Sequence, residues 1–119
     1  MNFKRWTIYR ANLDPVIGSE QGKSRPVVVI SENEINNLLN VVNVLPITTR
    51  KDNRKIYPNE ASLETVNSGL PNDSVVLCYQ IRTLDKQRLS LPLGEVISEE
   101  KQNEILNALC FQLGINMTT

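Results

Sequence analysis

Four side chains in this sequence offer chemistry that suits a phosphate ester. Arg25 and Arg82 carry planar, permanently charged guanidinium groups, whose geometry matches phosphate oxygens. Thr48 supplies a hydroxyl donor, and the Gln80 amide donates and accepts hydrogen bonds together, as reading the edge of a base requires. Taken singly, each residue has an ordinary structural role in an ion pair or a strand. Together they favour binding of a nucleic acid backbone.

The stretch GSEQGKSRPVVVI, residues 18–30, is typical of a polar loop that runs into a buried strand. It lacks the GK[ST] ending of a phosphate-binding loop and precedes a strand rather than a helix, so it is not a P-loop. Two interpretations remain open. The stretch is either a hairpin connection with solvated charges, or a binding site on a loop that a rigid strand holds at its root.

The absence of histidine limits the possible chemistry. The sequence has no histidine and two cysteines, which excludes Ser-His and Cys-His nucleophiles and removes the commonest zinc ligand. Cys78 and Cys110 lie in apolar segments without a CxxC pattern, and we predict that both are buried free thiols in a reducing compartment. No cofactor and no metal is expected.

The length of 119 residues predicts one domain, residues 1–119. No apolar stretch is long enough for a membrane span and the N-terminus has no signal-peptide pattern, so a cytoplasmic protein without membrane contact is expected. The net charge is zero, yet residues 1–88 hold 12 of the 13 basic and 9 of the 13 acidic residues. A local anionic partner is compatible with this distribution.

Short β-rich segments dominate the first four fifths of the chain. Hydrophobic alternation and turn signals predict strands at 5–12, 26–31, 41–49, 60–66, 74–83 and 90–97. The run PVVVIS at 26–31 is typical of a strand that is buried on both faces. Gln80 and Arg82 are expected on one face of strand 74–83, because side chains at i and i+2 point the same way. Residues 50–59 are predicted to be a polar, mobile loop.

Two segments carry helix signals. Ser31 and Glu34 form a capping-box pattern for one or two turns over residues 31–39. A longer helix is predicted from Ser98, as N-cap, to Gly114, with an apolar stripe at three- and four-residue intervals. The fold class predicted is mainly β, a small and strongly bent antiparallel barrel with a C-terminal helix.

Three stretches, in chain order, resemble the MazF/PemK family of toxin endoribonucleases: LDPVIGSEQGKSRPVVVIS, VNVLPITT and DSVVLCYQIRTLDKQRL. The similarity runs from about residue 4 to residue 113. The resemblance implies a CcdB/PemK-like fold, which is an SH3-like barrel, and a homodimer. It also implies single-stranded RNA, such as mRNA, as the substrate, and a cognate antitoxin protein that blocks the RNA groove.

The resemblance also assigns roles to single residues. It implies that Arg25 and Thr48 are catalytic, and it makes Glu20 a candidate general base whose alternative role is contact with a base or with Arg25. Positions that match the family's RNA groove are Ser19, Gln21, Gln80 and Arg82. Three loop residues with basic or aromatic side chains are added as RNA-binding candidates: Lys23, Arg50 and Tyr57.

Some assignments stay open. Tyr57 is expected either to stack on a base or to anchor its loop on the barrel. Many relatives have glycine at position 6, where this chain has Trp6, and one branch of the family has a histidine where this chain has Ser19 and a carboxylate where it has Tyr79. The acid–base assignment of that branch therefore does not transfer.

The mechanism that the resemblance implies needs neither histidine nor metal. The 2′-OH of the RNA attacks the adjacent phosphorus, which leaves a 2′,3′-cyclic phosphate and a 5′-OH. Arg25 and Thr48 suit stabilisation of the developing charge, since a guanidinium group does not deprotonate in proteins. The alternative from a different class is a non-catalytic CcdB-like toxin or binding module of the same fold.

Overall fold

The structure is a computed structural model that describes residues 2–116. In chain order its elements are β1 (Thr7–Asn12), β2 (Ser24–Val29), α1 (Asn33–Leu38), β3 (Val41–Thr49), β4 (Glu60–Leu63), α2 (Thr65–Ser68), β5 (Ser74–Leu77), β6 (Arg82–Asp85), β7 (Leu89–Glu95) and α3 (Glu99–Leu113). Short 3₁₀ turns occupy Cys78–Gln80 and Lys86–Arg88.

The seven strands form one antiparallel sheet that bends around the core. Neighbouring strands follow the order β4-β5-β3-β2-β1-β7, and β6 pairs with β3. Within residues 2–116 no ladder joins β4 to β7, so the sheet curls without closing. The predicted fold class, a mainly β architecture with a C-terminal helix, is confirmed.

Strand β2 contributes side chains to two hydrophobic clusters. Val28 belongs to the larger cluster, which includes Ile105 and Leu109 of α3. Val27 and Val29 belong to the second cluster, on the other face of the sheet. All three valines are 0% exposed, so the prediction of a strand buried on both faces is confirmed.

Strand β3 changes partners along its length. Its ladder with β2 ends at the pair Val27–Pro46, and Pro46 has no N–H to donate. Beyond that pair, Ile47–Thr49 pair with β5, whereas Ser24–Pro26 pair with β1. The two strands therefore diverge, and we call the gap between Ser24–Pro26 and Ile47–Thr49 the fork.

The predicted strand 74–83 is wrong in one respect, because the structure divides it. Val44 of β3 pairs with Arg82, and Ile47, three positions later in β3, pairs with Val76. Val76 and Arg82 themselves are six positions apart in the chain. The segment between them therefore has three residues more than β3 has between its two pairing positions. They form the 3₁₀ turn Cys78–Gln80. Gln80 is therefore not on a strand face with Arg82, contrary to the prediction.

The predicted strand 60–66 is also shorter than expected. It ends at Leu63, and the β-branched residues Thr65 and Val66 begin helix α2 instead. Tertiary contact explains the difference, because α2 packs against β7. A Cβ at Gly94 would lie 2.0 Å from the carbonyl oxygen of Ser68, so this approach of helix and strand requires glycine.

Helix α1 forms without the predicted cap. Its N-cap residue is Glu32, which makes no side-chain capping bond. The hydroxyl of Ser31 instead donates to Oδ1 of Asn36 and accepts from the backbone N–H of Asn43 at 3.0 Å. The Asn36 side chain is fully buried, so Ser31 satisfies a buried amide rather than the helix terminus.

Helix α3 matches the prediction closely. The Ser98 hydroxyl accepts from the backbone N–H of Lys101 at 3.2 Å, and Gly114 ends the helix at φ 69°. Both cysteines are free, as predicted. Cys78 is buried, and burial raises the pKa of its thiol to about 12. Cys110 is only half-buried, so the prediction that both thiols are buried is wrong for Cys110.

Candidate active site

A cavity of about 270 Å³ occupies the fork, and we call it the Arg25 cavity. Its walls are formed by Lys23, Ser24, Arg25, Pro26, Ile47, Thr48, Thr49 and Ser74. The last pair between β2 and β3 is Val27–Pro46. Two residues beyond this pair on each strand, Arg25 and Thr48 lie opposite each other across the fork. Because side chains alternate along a strand, both lie on the face that carries Val27.

The guanidinium group of Arg25 is available to a ligand. Its Nε donates to the carbonyl oxygen of Gly22 at 2.9 Å, which fixes the plane of the group. Within residues 2–116, neither terminal nitrogen of Arg25 makes a hydrogen bond or an ion pair, and the hydroxyl of Thr48 makes no hydrogen bond. Both side chains are half-buried. The cavity thus presents free donors from both walls to an anionic ligand.

Gln80 ties the loop between β1 and β2 to the 3₁₀ turn. Its Oε1 accepts from the backbone N–H of Gln21 at 3.3 Å, and its Nε2 donates to the carbonyl oxygen of Ser19 at 3.0 Å. Both ends of the amide are therefore used by the loop backbone. In this conformation Gln80 positions the loop rather than offering its amide to a ligand.

Two arginines hold the start of the same loop. Arg82 donates from Nη1 to the carbonyl oxygen of Leu13 at 2.8 Å. Arg88 donates from Nη1 to the carbonyl oxygens of Asn12 and Asp14 at 3.1 and 2.6 Å. Arg88 was not among the predicted site residues, because its partners lie more than 70 residues away along the chain. The only signal was its place in the basic segment DKQR.

The other end of the loop depends on Asp14. Its Oδ1 accepts from the backbone N–H of Lys23 at 2.8 Å. A Cβ at Gly22 would lie 2.6 Å from that same oxygen, so glycine is needed for the chain to pass this close. Asp14 was not among the predicted site residues.

Glu20 is at the exposed tip of the loop, outside the lining of the Arg25 cavity. Its Oε1 accepts from the backbone N–H of Ile17 at 2.6 Å, which closes a turn on the loop itself. The neighbouring Gln21 has a buried Oε1 without a hydrogen-bond partner among residues 2–116. An unpaired buried acceptor destabilises the ligand-free loop.

The loop of residues 50–59 is held by its own hydrogen bonds. Arg54 makes a bidentate ion pair with Glu60 at 2.9 and 2.7 Å, and the Glu60 side chain is 3% exposed. Hydrogen bonds from Arg54 lower the pKa of the Glu60 carboxyl, against burial that acts to raise it. Arg50 donates twice to the carbonyl oxygen of Arg54. Arg50 is therefore engaged in its own loop.

Tyr57 lies on a separate surface, which we call the Tyr57 groove. This groove of about 470 Å³ is lined by Arg54, Tyr57, Pro58, Asn59, Glu60, Tyr79 and Phe111. The Tyr57 side chain is 53% exposed, and the Lys55 ammonium lies 5.4 Å from the centre of its ring. The ring is therefore open to a ligand, while the backbone of Tyr57 anchors the loop through its N–H, which donates to Oε1 of Glu60, and its carbonyl oxygen, which accepts from the backbone N–H of Glu60.

The predicted site residues thus fall into distinct groups. Lys23, Arg25 and Thr48 line the Arg25 cavity, together with hydroxyl groups of Ser24, Thr49 and Ser74 that the sequence analysis did not select. Ser19, Gln21 and Gln80 meet beside it through the loop backbone. Arg82 anchors the loop, Glu20 lies at its tip, and Arg50 and Tyr57 lie in the loop of residues 50–59.

Comparison with known proteins identifies the family of this chain. The sequence model of the PemK-like, MazF-like toxins of type II toxin–antitoxin systems matches residues 4–113. The chain belongs to this family. Endoribonuclease MazF of Staphylococcus saprophyticus is 42% identical over 113 residues, which is 95% of this chain and 92% of that protein. The predicted family is therefore confirmed, and the prediction of an endoribonuclease is confirmed at the level of the family.

Solved structures have the same fold over nearly the whole chain. MazF from Deinococcus radiodurans, at 28% identity, gives a TM-score of 0.77 over 93% of this chain and 96% of that one. A mycobacterial endoribonuclease in complex with its cognate antitoxin, at 26% identity, gives 0.76 over 97% and 98%. A MazE–MazF structure from Deinococcus radiodurans, at 27% identity, gives 0.74 over 98% and 99%.

Among residues 2–116, no helix has the length and apolar character needed to cross a membrane. In the same part, no three or more His, Cys, Asp or Glu side chains are grouped so that they could hold a metal ion. The functional groups that line the Arg25 cavity are guanidinium, ammonium and hydroxyl groups.

Proposed function

We propose that this protein is a sequence-specific endoribonuclease toxin that cleaves single-stranded RNA in the Arg25 cavity, and that residues 1–119 form one such domain. The observation that carries the proposal is the placement of Arg25 and Thr48 on opposite walls of one cavity, with free donors and no carboxylate partner among residues 2–116. A phosphodiester between the two walls would meet positive charge and a hydroxyl donor together.

The reaction proposed is transfer of the phosphate to the substrate's own 2′-OH. The 2′ oxygen attacks the adjacent phosphorus, the bond from phosphorus to the 5′ oxygen breaks, and the products carry a 2′,3′-cyclic phosphate and a 5′-OH. The Arg25 guanidinium and the Thr48 hydroxyl donate to the phosphorane oxygens. A well-placed donor to such an oxyanion contributes about 3 kcal/mol of transition-state stabilisation.

Two protons must move during this reaction. The 2′-OH loses one to a general base, and the leaving 5′ oxygen gains one from a water molecule. Arg25 stays charged and acts mainly through hydrogen bonding, because a guanidinium group does not deprotonate in proteins. Glu20 is the proposed general base. Its carboxylate accepts from Ile17 N–H in the ligand-free conformation, so the loop tip must rearrange for Glu20 to reach a 2′-OH.

Recognition of RNA is proposed for the loop and the surfaces beside the cavity. Lys23 is exposed at the cavity and suits phosphate binding. Ser19 is exposed on the loop, and the unpaired Oε1 of Gln21 can accept from a base once the loop rearranges to uncover it. Gln80 and Arg82 act by holding the loop in place.

Arg50 and Tyr57 form a more distant part of the proposed RNA surface. The Tyr57 ring is exposed and can stack on an unpaired base, which contributes about 1–3 kcal/mol per base in such sites. Arg50 orders the loop through the carbonyl oxygen of Arg54. The loop of residues 50–59 then presents Tyr57 from a fixed backbone.

The partners proposed are a second copy of the chain and a cognate antitoxin. Structures similar to this one include toxins in complex with antitoxins. We propose that an acidic or apolar segment of the antitoxin folds against Arg25 and blocks RNA entry. Light scattering should give about twice the 13.5 kDa chain mass, and the antitoxin should inhibit cleavage competitively. A monomer that cuts RNA, or tight antitoxin binding without inhibition, would contradict these two proposals.

The mechanism is tested with a chimeric substrate. A mapped RNA is resynthesised with a single 2′-deoxy nucleotide on the 5′ side of the scissile phosphate. We expect binding without cleavage, because the charge is unchanged and phosphate contacts dominate affinity, whereas the nucleophile is missing. Cleavage of the all-RNA substrate should continue in excess EDTA. A deoxy chimera cut at the same position, or activity lost on chelation, would contradict the mechanism.

A further inference from the structure

The fork contains a second cavity that the proposed chemistry does not use. This cavity of about 370 Å³ is lined by Arg10, Pro26, Thr49, Leu70, Pro71, Asn72, Ser74 and Leu93, and we call it the Arg10 cavity. It shares Pro26, Thr49 and Ser74 with the Arg25 cavity. The two cavities are therefore adjacent parts of one surface that runs through the fork.

Strand register explains why the two cavities lie on opposite sides of the fork. Arg10 pairs with Pro26, next to the pair of Ala11 with Arg25. Neighbouring side chains on a strand point to opposite faces, so Arg10 and Arg25 emerge on different faces at the same end of the sheet. A chain that enters between the diverging strands can contact both arginines.

The lining of the Arg10 cavity suits a nucleotide. Arg10 is exposed, and its guanidinium group makes no hydrogen bond or ion pair within residues 2–116. Pro71 and Leu93 supply an apolar wall, and the exposed side-chain amide of Asn72 is free in the same part of the chain. No described residue that lines either cavity is acidic. Arg10 would favour a phosphate, and burial of apolar surface would favour a base against Pro71.

We propose that the Arg10 cavity binds a nucleotide that flanks the cleaved bond, with Arg10 on a phosphate and Asn72 on the edge of the base. This inference rests on the proposed function, because it extends the same RNA through the fork. It makes Arg10 a residue for substrate binding that touches no reacting atom. Its contribution therefore depends on the length of the RNA.

The experiment compares a short RNA that spans the mapped cut with the same RNA extended on one side, first at the 5′ end and then at the 3′ end. Wild-type protein should cleave one of the extended RNAs with higher kcat/KM than the short RNA. Arg10→Ala should lose that advantage, about tenfold, and cleave the short RNA as wild type does. For Arg10→Ala, the slope of log affinity against log salt concentration should be smaller than for wild type by about 0.7 on the extended RNA. This is the change expected for one lost phosphate contact.

Two further variants control the interpretation. Arg10→Lys keeps the charge and should retain part of the advantage. Lys4→Ala removes an exposed charge outside both cavities and should behave as wild type. Circular dichroism checks that each variant is folded.

The possible results separate this inference from the proposed function. If Arg10→Ala cleaves every RNA as wild type does, slows short and extended RNAs equally, or matches Lys4→Ala, the inference is wrong and the proposed function stands. If wild-type protein cleaves none of the RNAs, the proposed function is wrong, and the inference is wrong with it.

Discussion

Arg25 and Arg54 are both arginines in polar segments of this chain, yet their surroundings differ. Arg54 makes two hydrogen bonds to the buried carboxylate of Glu60 and closes its own loop. Arg25 donates only from Nε, to a backbone carbonyl, and its terminal nitrogens face a cavity without carboxylates among the described residues. An arginine that has its carboxylate partner stabilises the fold, whereas one without it can bind substrate.

The same contrast applies to larger regions. Near α3, Lys101 contacts Glu64 and Glu104 and is almost fully buried. In the fork, Arg10, Lys23 and Arg25 have no acidic neighbour among the lining residues. The chain has no net charge, so the positive charge in the fork comes from cations that lie there without a carboxylate neighbour among the lining residues.

The largest effect is expected from Arg25→Ala. Loss of the guanidinium group should reduce the single-turnover cleavage rate by about 10³-fold, because a donor to the developing oxyanion is removed. The free energy of unfolding should change by less than about 1 kcal/mol, as for a surface substitution. Cleavage assays and denaturant titrations on one preparation measure both. A fully active variant would remove Arg25 from the site.

Arg54→Met should lower the stability of the protein but leave its cleavage activity largely intact, the opposite of Arg25→Ala. It leaves the Glu60 carboxylate buried without its partner, which should cost about 3 kcal/mol of stability. Cleavage per folded molecule should stay within a few-fold of wild type. The double variant Arg54→Met/Glu60→Leu should recover part of the stability, although the backbone N–H of Tyr57 then loses its acceptor. A cleavage defect as large as that of Arg25→Ala would contradict the claim that Arg54 has a structural role and Arg25 a role in cleavage.

Thr48→Val tests the second wall of the fork. Valine keeps the branched shape that suits strand β3 but removes the hydroxyl, and the cleavage rate should fall by about 10²-fold. Thr48→Ser, which restores the hydroxyl, is the matched control and should retain most activity. If both variants cleave at the same rate, the hydroxyl has no part in the reaction.

Gln80→Ala is expected to have a moderate effect. It removes both hydrogen bonds between the 3₁₀ turn and the loop, so kcat/KM should fall several-fold through poorer placement of the loop. Gln87→Ala, at an exposed position of the other 3₁₀ turn, is the control and should match wild type. Equal activity of the two variants would show that the loop holds its place without Gln80.

The smallest effect concerns acid stability on the ion-paired side of the molecule. Burial acts to raise the pKa of Glu64, but hydrogen bonds from Ser62 and Lys101 lower it to about 2. A lowered pKa in the folded state stabilises the protein above the unfolded pKa of about 4.3, and this contribution is lost as pH falls toward 2. Glu64→Gln should show a weaker loss of stability over that range. An unchanged pH dependence would argue against the contact.

The parts of the fold that were predicted correctly have strong local signals. Strand β3 matches its predicted bounds, and α3 begins and ends at its predicted caps. The break between β5 and β6 could not be predicted, because it depends on three extra residues relative to β3. Tyr79 and Ile81 favour strands, and the segment Cys78–Gln80 contains no glycine or proline, so neither periodicity nor propensity marks the break.

The candidate site was only partly visible in the sequence. Residue chemistry selected Arg25, Thr48 and Gln80, and the family resemblance assigned roles to them. The sequence did not separate arginines that are paired from those that are free, because the partners of Arg82 and Arg88 are backbone carbonyls far away in the chain. The Arg10 cavity was invisible because it exists only where two ladders diverge.

The central claim is that RNA phosphate binds the arginines of the fork and not the paired arginine. The most direct test is the NMR spectrum of the arginine Nε–H groups, assigned with Arg→Lys variants and recorded with saturating 2′-deoxy chimera. The Nε–H signal of Arg25 should move strongly on binding, whereas that of Arg54, which borders the Tyr57 groove but stays paired with Glu60, should move much less. An unchanged Arg25 signal beside a shifted Arg54 signal would contradict the account.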